Sequence, residues 1–192
     1  MDDINKRKEQ YSTYFHTAMQ NGLYLGLYFV AIFSCFLLAV QYQVYFLWGV
    51  IFLSSLIVPV LTYRFTKQVR DNTLNGEMKF STAWNFGTLL FFFGGLILAF
   101  VAYFIMQYAA PDLYKNFIQA LTDFSAAVVN DATKNNVPQA QISLLEQQAK
   151  LLSEVPIPSS IEIAVQYLWN CVSIGILISI PIALIVKKTK KA

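Results

Sequence analysis

Charge is what this sequence has least of. Of 192 residues, 13% are charged and 56% are apolar. A soluble domain carries about 25% charged residues, so this chain cannot cover a water-facing surface and its deficit points to burial in lipid. Histidine is nearly absent too. The one histidine, His16, has no Cys, Asp or second His nearby, which excludes a metal-ligand spacing. The two cysteines, Cys35 and Cys171, lie in apolar runs, where a structural disulfide is not expected. Nowhere does a nucleophile stand beside a base. There is no Gly-rich phosphate loop after a strand, no HExxH and no CxxC. No enzyme chemistry and no cofactor are therefore expected.

What is present is long apolar sequence. Phe80 to Ala110 runs for thirty-one residues without Asp, Glu, Lys, Arg or His. A charge-free run beyond about 18 residues marks a helix crossing a hydrocarbon core roughly 30 Å thick. Gln10 to Tyr63 likewise holds no acid and no strong base, which is too long for one span and enough for two. The predicted spans are about 19–40, 44–65, 82–108 and 161–186, the first two joined by a turn at Gln41-Tyr42-Gln43. Before them, Met1 to Gln10 is polar and carries Lys6, Arg7 and Lys8. That start fits a signal peptide, but the following run is overlong and lacks an Ala-x-Ala-like site, so it reads as an uncleaved anchor. Asn75-Gly76 supplies a turn between spans two and three, and Pro181 is expected to kink span four or loosen its last turn. The fold class is all-α. It is read as one four-helix membrane domain over residues 1–192, with a polar helical segment at 111–160.

The basic residues set the threading. If the N-terminus is cytoplasmic, four spans return the C-terminus to the same side. The two tails and the middle loop then hold eleven of the fourteen Lys and Arg, leaving Lys115, Lys134 and Lys150 outside. Every loop obeys the positive-inside rule in this orientation. Tyr11, Tyr14 and Tyr24 fall near the inner edge and Tyr42 and Tyr45 near the outer. Tyr63 and Trp84 flank the inner loop, as headgroup-depth aromatics do.

In 111–160, Asp112 can cap a helix whose apolar face is Leu113, Phe117, Leu121, Phe124 and Val128. Asp131 to Asn136 reads as a turn-rich break. Pro138 suits the first turn of a second helix with Ile142, Leu145, Ala149 and Leu152 on one stripe. The pattern is an amphipathic hairpin, serving either as a cap or as a lid or docking surface. Glu162 reads as an acid complementing a helix N-terminus.

Small residues recur at helical spacing. Cys171, Gly175, Ser179 and Ala183 form a row on span four. Gly22 and Gly26 pair on span one, and Gly95 and Ala99 on span three. Such rows let backbones approach closely in lipid, either within the chain or against a second copy. Polar groups inside the spans are Ser34, Ser54, Ser55, Asn85, Asn170 and Ser173, with interhelical hydrogen bonds as their expected role. No carboxylate, Lys or Arg lies near a span centre, where ion-coupled pumps place them. Lys187 to Lys191 suits anionic lipid headgroups rather than nucleic acid.

Four spans with a large second outer loop resemble tetraspanins, but residues 109–160 contain no cysteine and no Cys-Cys-Gly motif. A closer likeness lies in Gly76 through Phe80-Ser81-Thr82-Ala83 into Phe86-Gly87, then Tyr108-Ala109-Ala110-Pro111-Asp112-Leu113, and finally Ala183-Leu184-Ile185-Val186-Lys187-Lys188. Over nearly its whole length the chain resembles a bacterial membrane family, domain of unknown function 4199. The resemblance implies four helices in a bacterial inner (cytoplasmic) membrane and supplies no activity or site residues. The expected role is a non-enzymatic accessory or assembly protein, with a small oligomeric transporter or channel subunit as the alternative. Expected partners are membrane lipids and either another membrane protein or further copies of the chain. Reporter fusions at Asn135 and Lys190 are expected to report opposite sides of the membrane; the same side for both would overturn the threading.

Overall fold

The computed structural model describes residues 2–42, 44–74, 76–109, 111–134, 138–153, 156 and 158–188. They form six α-helices: α1 (Asp2–Tyr42), α2 (Tyr45–Asn72), α3 (Phe80–Phe104), α4 (Leu113–Lys134), α5 (Gln139–Ser153) and α6 (Ser160–Val186), with one π turn at Ile105–Ala109. Four helices are long and apolar enough to span a bilayer: Ser12–Tyr42, Phe46–Asn72, Phe80–Ala109 and Ser160–Val186. The chain is an all-α polytopic membrane protein. Its contacts divide it into two compact units, Met1–Ala102 with Ile163–Ala192, and Tyr103–Glu162.

Each expected span lies within a longer helix or nearly so. Helix α1 begins at Asp2 rather than near residue 19, because helical hydrogen bonding does not stop where hydrocarbon does. At the expected first turn α1 ends at Tyr42, and Val44 is extended (φ −85°, ψ 96°) as the cap of α2. Gln43 lies outside the described residues, as do Asn75 and Thr189–Ala192. Gly76 has φ 82°, a left-handed conformation that glycine adopts without steric cost.

In the first unit, α1 and α2 run antiparallel. The Tyr28 hydroxyl donates to the Ser54 carbonyl at 2.9 Å, and Phe36 meets Trp48 edge-on with centroids 5.8 Å apart. Ser54 precedes Ser55, whose carbonyl loses its helical donor to Pro59. Helix α3 is the most enclosed: 39% of its apolar window is buried, against 11% for α2. Its Phe86, Leu90 and Phe91 join Leu25, Val58, Ile182 and Val186 in one core. Tyr14 belongs to that core instead of the headgroup belt, its hydroxyl donating to the Thr82 carbonyl at 2.9 Å. Near this end of the unit, Arg70 donates to the last carbonyl of α6, Val186, at 3.2 Å, and pairs with Asp71 at 2.7 Å. Met78 and Lys188 exchange backbone hydrogen bonds, each 2.9 Å, which ties the α2–α3 loop to the segment after α6.

In the second unit, α4 and α5 pack side by side across a connection of four residues, which makes them a hairpin. The Asp112 carbonyl accepts from Asn116, as an N-cap does. Two expectations are corrected here. Asp131 to Lys134 are helical, not a break: α4 continues through them, and the Thr133 hydroxyl donates back to the Val129 carbonyl at 2.8 Å; Asn135 and Asn136 lie outside the described residues. Pro138 caps α5 from just outside, its carbonyl accepting from Gln141 and Ile142. The packed face of α4 is also rotated from the expected one. Phe117 and Leu121 are half-buried as expected, but so are Ile118, Ser125 and Val129, whereas Phe124 is 68% exposed and Val128 turns outward.

Replacing Tyr28 by Phe removes the α1–α2 hydrogen bond and is expected to cost about 0.6 kcal/mol, the usual worth of such a bond between membrane helices. Equilibrium unfolding in detergent checks this; a loss of several kcal/mol would mean the ring, not the hydroxyl, sets the contact.

Candidate functional site

The glycines of α3 define two seams on adjacent faces of that helix, since Gly94 and Gly95 are consecutive and about 100° apart. Toward α1, a Cβ on Gly26 would sit 3.0 Å from the Gly94 carbonyl oxygen and 2.8 Å from Ile97 Cδ1, and one on Gly22 would sit 3.2 Å from the Leu90 carbonyl oxygen. These backbones touch because neither glycine has a side chain. Toward α6, the contacts step along both helices in opposite directions. Gly87 faces Ser179, Phe91 faces Gly175, and Gly95 faces Cys171, whose Cβ would lie 2.8 Å from an added Cβ. The row on α6 therefore meets α3 of the same chain.

The expected small residues are thus brought together in part. Gly22 and Gly26 meet α3, while Gly95, Cys171, Gly175 and Ser179 line the α3–α6 seam. Ala183 is fully buried in the core, and Ala99 is half-buried on α3. Gly87 and Gly94 belong to the same seams and were not singled out from sequence. Their signal was Gly87 standing eight residues before Gly95, two helical turns on one face. Ser159 and Glu162 form a capping box at the start of α6. The Ser159 amide donates to Glu162 Oε2 at 2.7 Å, and the Glu162 amide donates to Ser159 Oγ at 3.4 Å. Ser-x-x-Glu before an apolar run announces this arrangement.

The intramembrane polar residues depart from expectation. Ser34 and Ser55 donate to carbonyls four residues back in their own helices. Interhelical hydrogen bonds come instead from Tyr14, Tyr28 and Trp84, the last donating to the Ile176 carbonyl at 3.4 Å. Asn85 and Asn170 are both exposed. Asn170 Oδ1 accepts from Gln166 Nε2 at 3.1 Å. The buried polar side chains are Asn21, Thr62, Thr66 and Ser179. Both threonines donate to their own helix, while Asn21 Nδ2 and Ser179 Oγ are buried without a partner among the described residues. Among those residues no group of three His, Cys, Asp or Glu could hold a metal ion.

Chemically, this arrangement packs helices and presents surfaces. Exposed side chains include Phe124, Leu144 and Leu151 of the hairpin and the basic side chains Lys67, Lys79, Lys187 and Lys188. The family described as a protein of unknown function (DUF4199) matches residues 20–188. No curated protein and no solved structure matches.

Replacing Gly175 by Val drives a side chain into Phe91 and is expected to destabilise the protein by about 2–3 kcal/mol. Gly49 has nothing within 4 Å of an added Cβ, so Gly49→Ala is expected to be neutral or to stabilise by up to about 1 kcal/mol. Unfolding midpoints of the two variants in one detergent provide the comparison.

Proposed function

The chain belongs to the DUF4199 family of proteins of unknown function, and from that premise we propose a non-enzymatic accessory or assembly protein of the bacterial inner membrane. In this reading both termini are cytoplasmic and the α4–α5 hairpin faces outward, where it docks a membrane-protein partner. The observation that carries it is the outward apolar set of the hairpin. Phe124, Leu144 and Leu151 are 68%, 59% and 66% exposed in a segment that also carries Asp123, Asp131 and Glu146. Large exposed apolar side chains rimmed by polar residues suit recognition of another protein. The excess of Lys and Arg at the termini and the α2–α3 loop supports the orientation.

A second reading, a small oligomeric transporter or channel subunit, is favoured by the buried polar set Asn21, Thr62, Thr66 and Ser179, two of whose atoms lack a partner among the described residues. Cross-linking in intact membranes followed by identification of captured proteins separates the two. A reproducible partner is expected for the native chain and a clear loss of it for F124S/L144S/L151S. Unchanged capture by that variant, or solute flux through vesicles holding the purified protein, would overturn the docking reading.

A further inference from the structure

Two amides stand where hydrocarbon is expected. Helix α6 has 27 residues, about 40 Å at 1.5 Å per residue, and so exceeds the hydrocarbon core by about 5 Å at each end. Asn170 is ten residues from the start, which puts it about 10 Å inside the apolar layer. Asn170 and Gln166 are nonetheless both exposed. The bond from Gln166 Nε2 satisfies Asn170 Oδ1 in part, but it leaves the Asn170 Nδ2 hydrogens and Gln166 Oε1 without a partner among the described residues. Polar groups left bare in lipid cost free energy that a hydrogen bond to another helix removes.

The face around them is continuous. Gln166, Asn170, Ser173, Leu177 and Leu184 follow the spacing of a two-helix seam, and Leu177 and Leu184 are 67% and 51% exposed. This face lies away from the Gly175 and Ser179 side, which α3 already covers.

We propose that this face of α6 is a self-association surface, occupied by α6 of a second copy, with Asn170 paired to Asn170 across a two-fold axis normal to the membrane. The occupant follows from symmetry and chemistry. Copies inserted with one orientation place their α6 helices parallel and Asn170 at equal depth. A two-fold interface sets each residue near its own counterpart, so the group at the axis must both donate and accept. A carboxamide does both, and a single asparagine in an apolar seam selects parallel pairs. The pairing goes beyond the proposed docking role.

The full-length protein carrying a fluorescent tag, diluted into phospholipid bilayers, supplies the test by counting photobleaching steps. The native chain is expected to show two steps. Asn170→Leu should raise the dissociation constant about tenfold, Asn170→Gln should keep the pair, and Asn85→Leu should leave it unchanged. In a chain with Cys35 and Cys171 replaced by Ala, L177C should form a covalent dimer on oxidation and I178C, from the core-facing side, should not. One-step bleaching of the native chain at every density overturns the proposal, even where another protein is captured from membranes. So does undiminished pairing of N170L, or cross-linking of I178C in preference to L177C.

Discussion

The bundle depends on backbone reaching backbone at α3. Between helices in lipid there is little hydrophobic drive, because the tails they displace are as apolar as leucine. What remains is dispersion at short range, which weakens steeply with a gap of even half an ångström. Gly22, Gly26 and Gly94 remove the side chains that would open that gap on one face of α3, and Gly87, Gly95 and Gly175 do so on the adjacent face. Each absent Cβ is matched to a neighbouring side chain or a carbonyl, so the seams interlock rather than merely touch. Phe91 fills the space at Gly175 and Ile97 the space at Gly26. Helix α2 contributes no glycine to either seam and is the least enclosed of the four spanning helices. It packs through Val58, Val69 and Trp48, and hydrogen bonds from Tyr28 to Ser54 and from Arg70 to Val186 add to that attachment.

Hydropathy made four spans legible because an unbroken stretch of twenty apolar residues suits little besides a bilayer. It could not place helix ends, since it reports the solvent around a segment and not the hydrogen bonding within it. Asp2 to Thr17 is helical although its first half is polar. The hairpin was legible as two amphipathic helices, yet apolar spacing turns Phe124 inward and the fold leaves it exposed. Spacing alone does not fix how far a helix turns about its axis, so Ser125 and Val129 lie half-buried where Phe124 was expected. The small-residue row on α6 was legible as a row. Its partner was not, because spacing along one helix carries no information about which neighbour fills the groove.

Polar side chains divide by what they can reach. Thr62, Thr66 and Ser55 satisfy themselves on carbonyls four residues back, whereas buried Ser179 Oγ does not. Tyrosine and tryptophan are long enough to bridge helices and make the interhelical bonds. Asn21 and Asn170 do neither: among the described residues, no neighbouring helix of the same chain accepts from their amides. Asn21 accordingly keeps a buried Nδ2 with no partner among the described residues, and Asn170 engages Gln166 on the same helix.

That limit separates two fates for an amide in the membrane. Inside the bundle, Asn21 is enclosed by protein, and its Nδ2 is buried with no partner among the described residues. On the outer face of α6, the partner that Asn170 finds among the described residues is Gln166, and lipid offers none. The pairing proposed for Asn170 would lift the cost that remains there, because a second copy brings an amide that both donates and accepts.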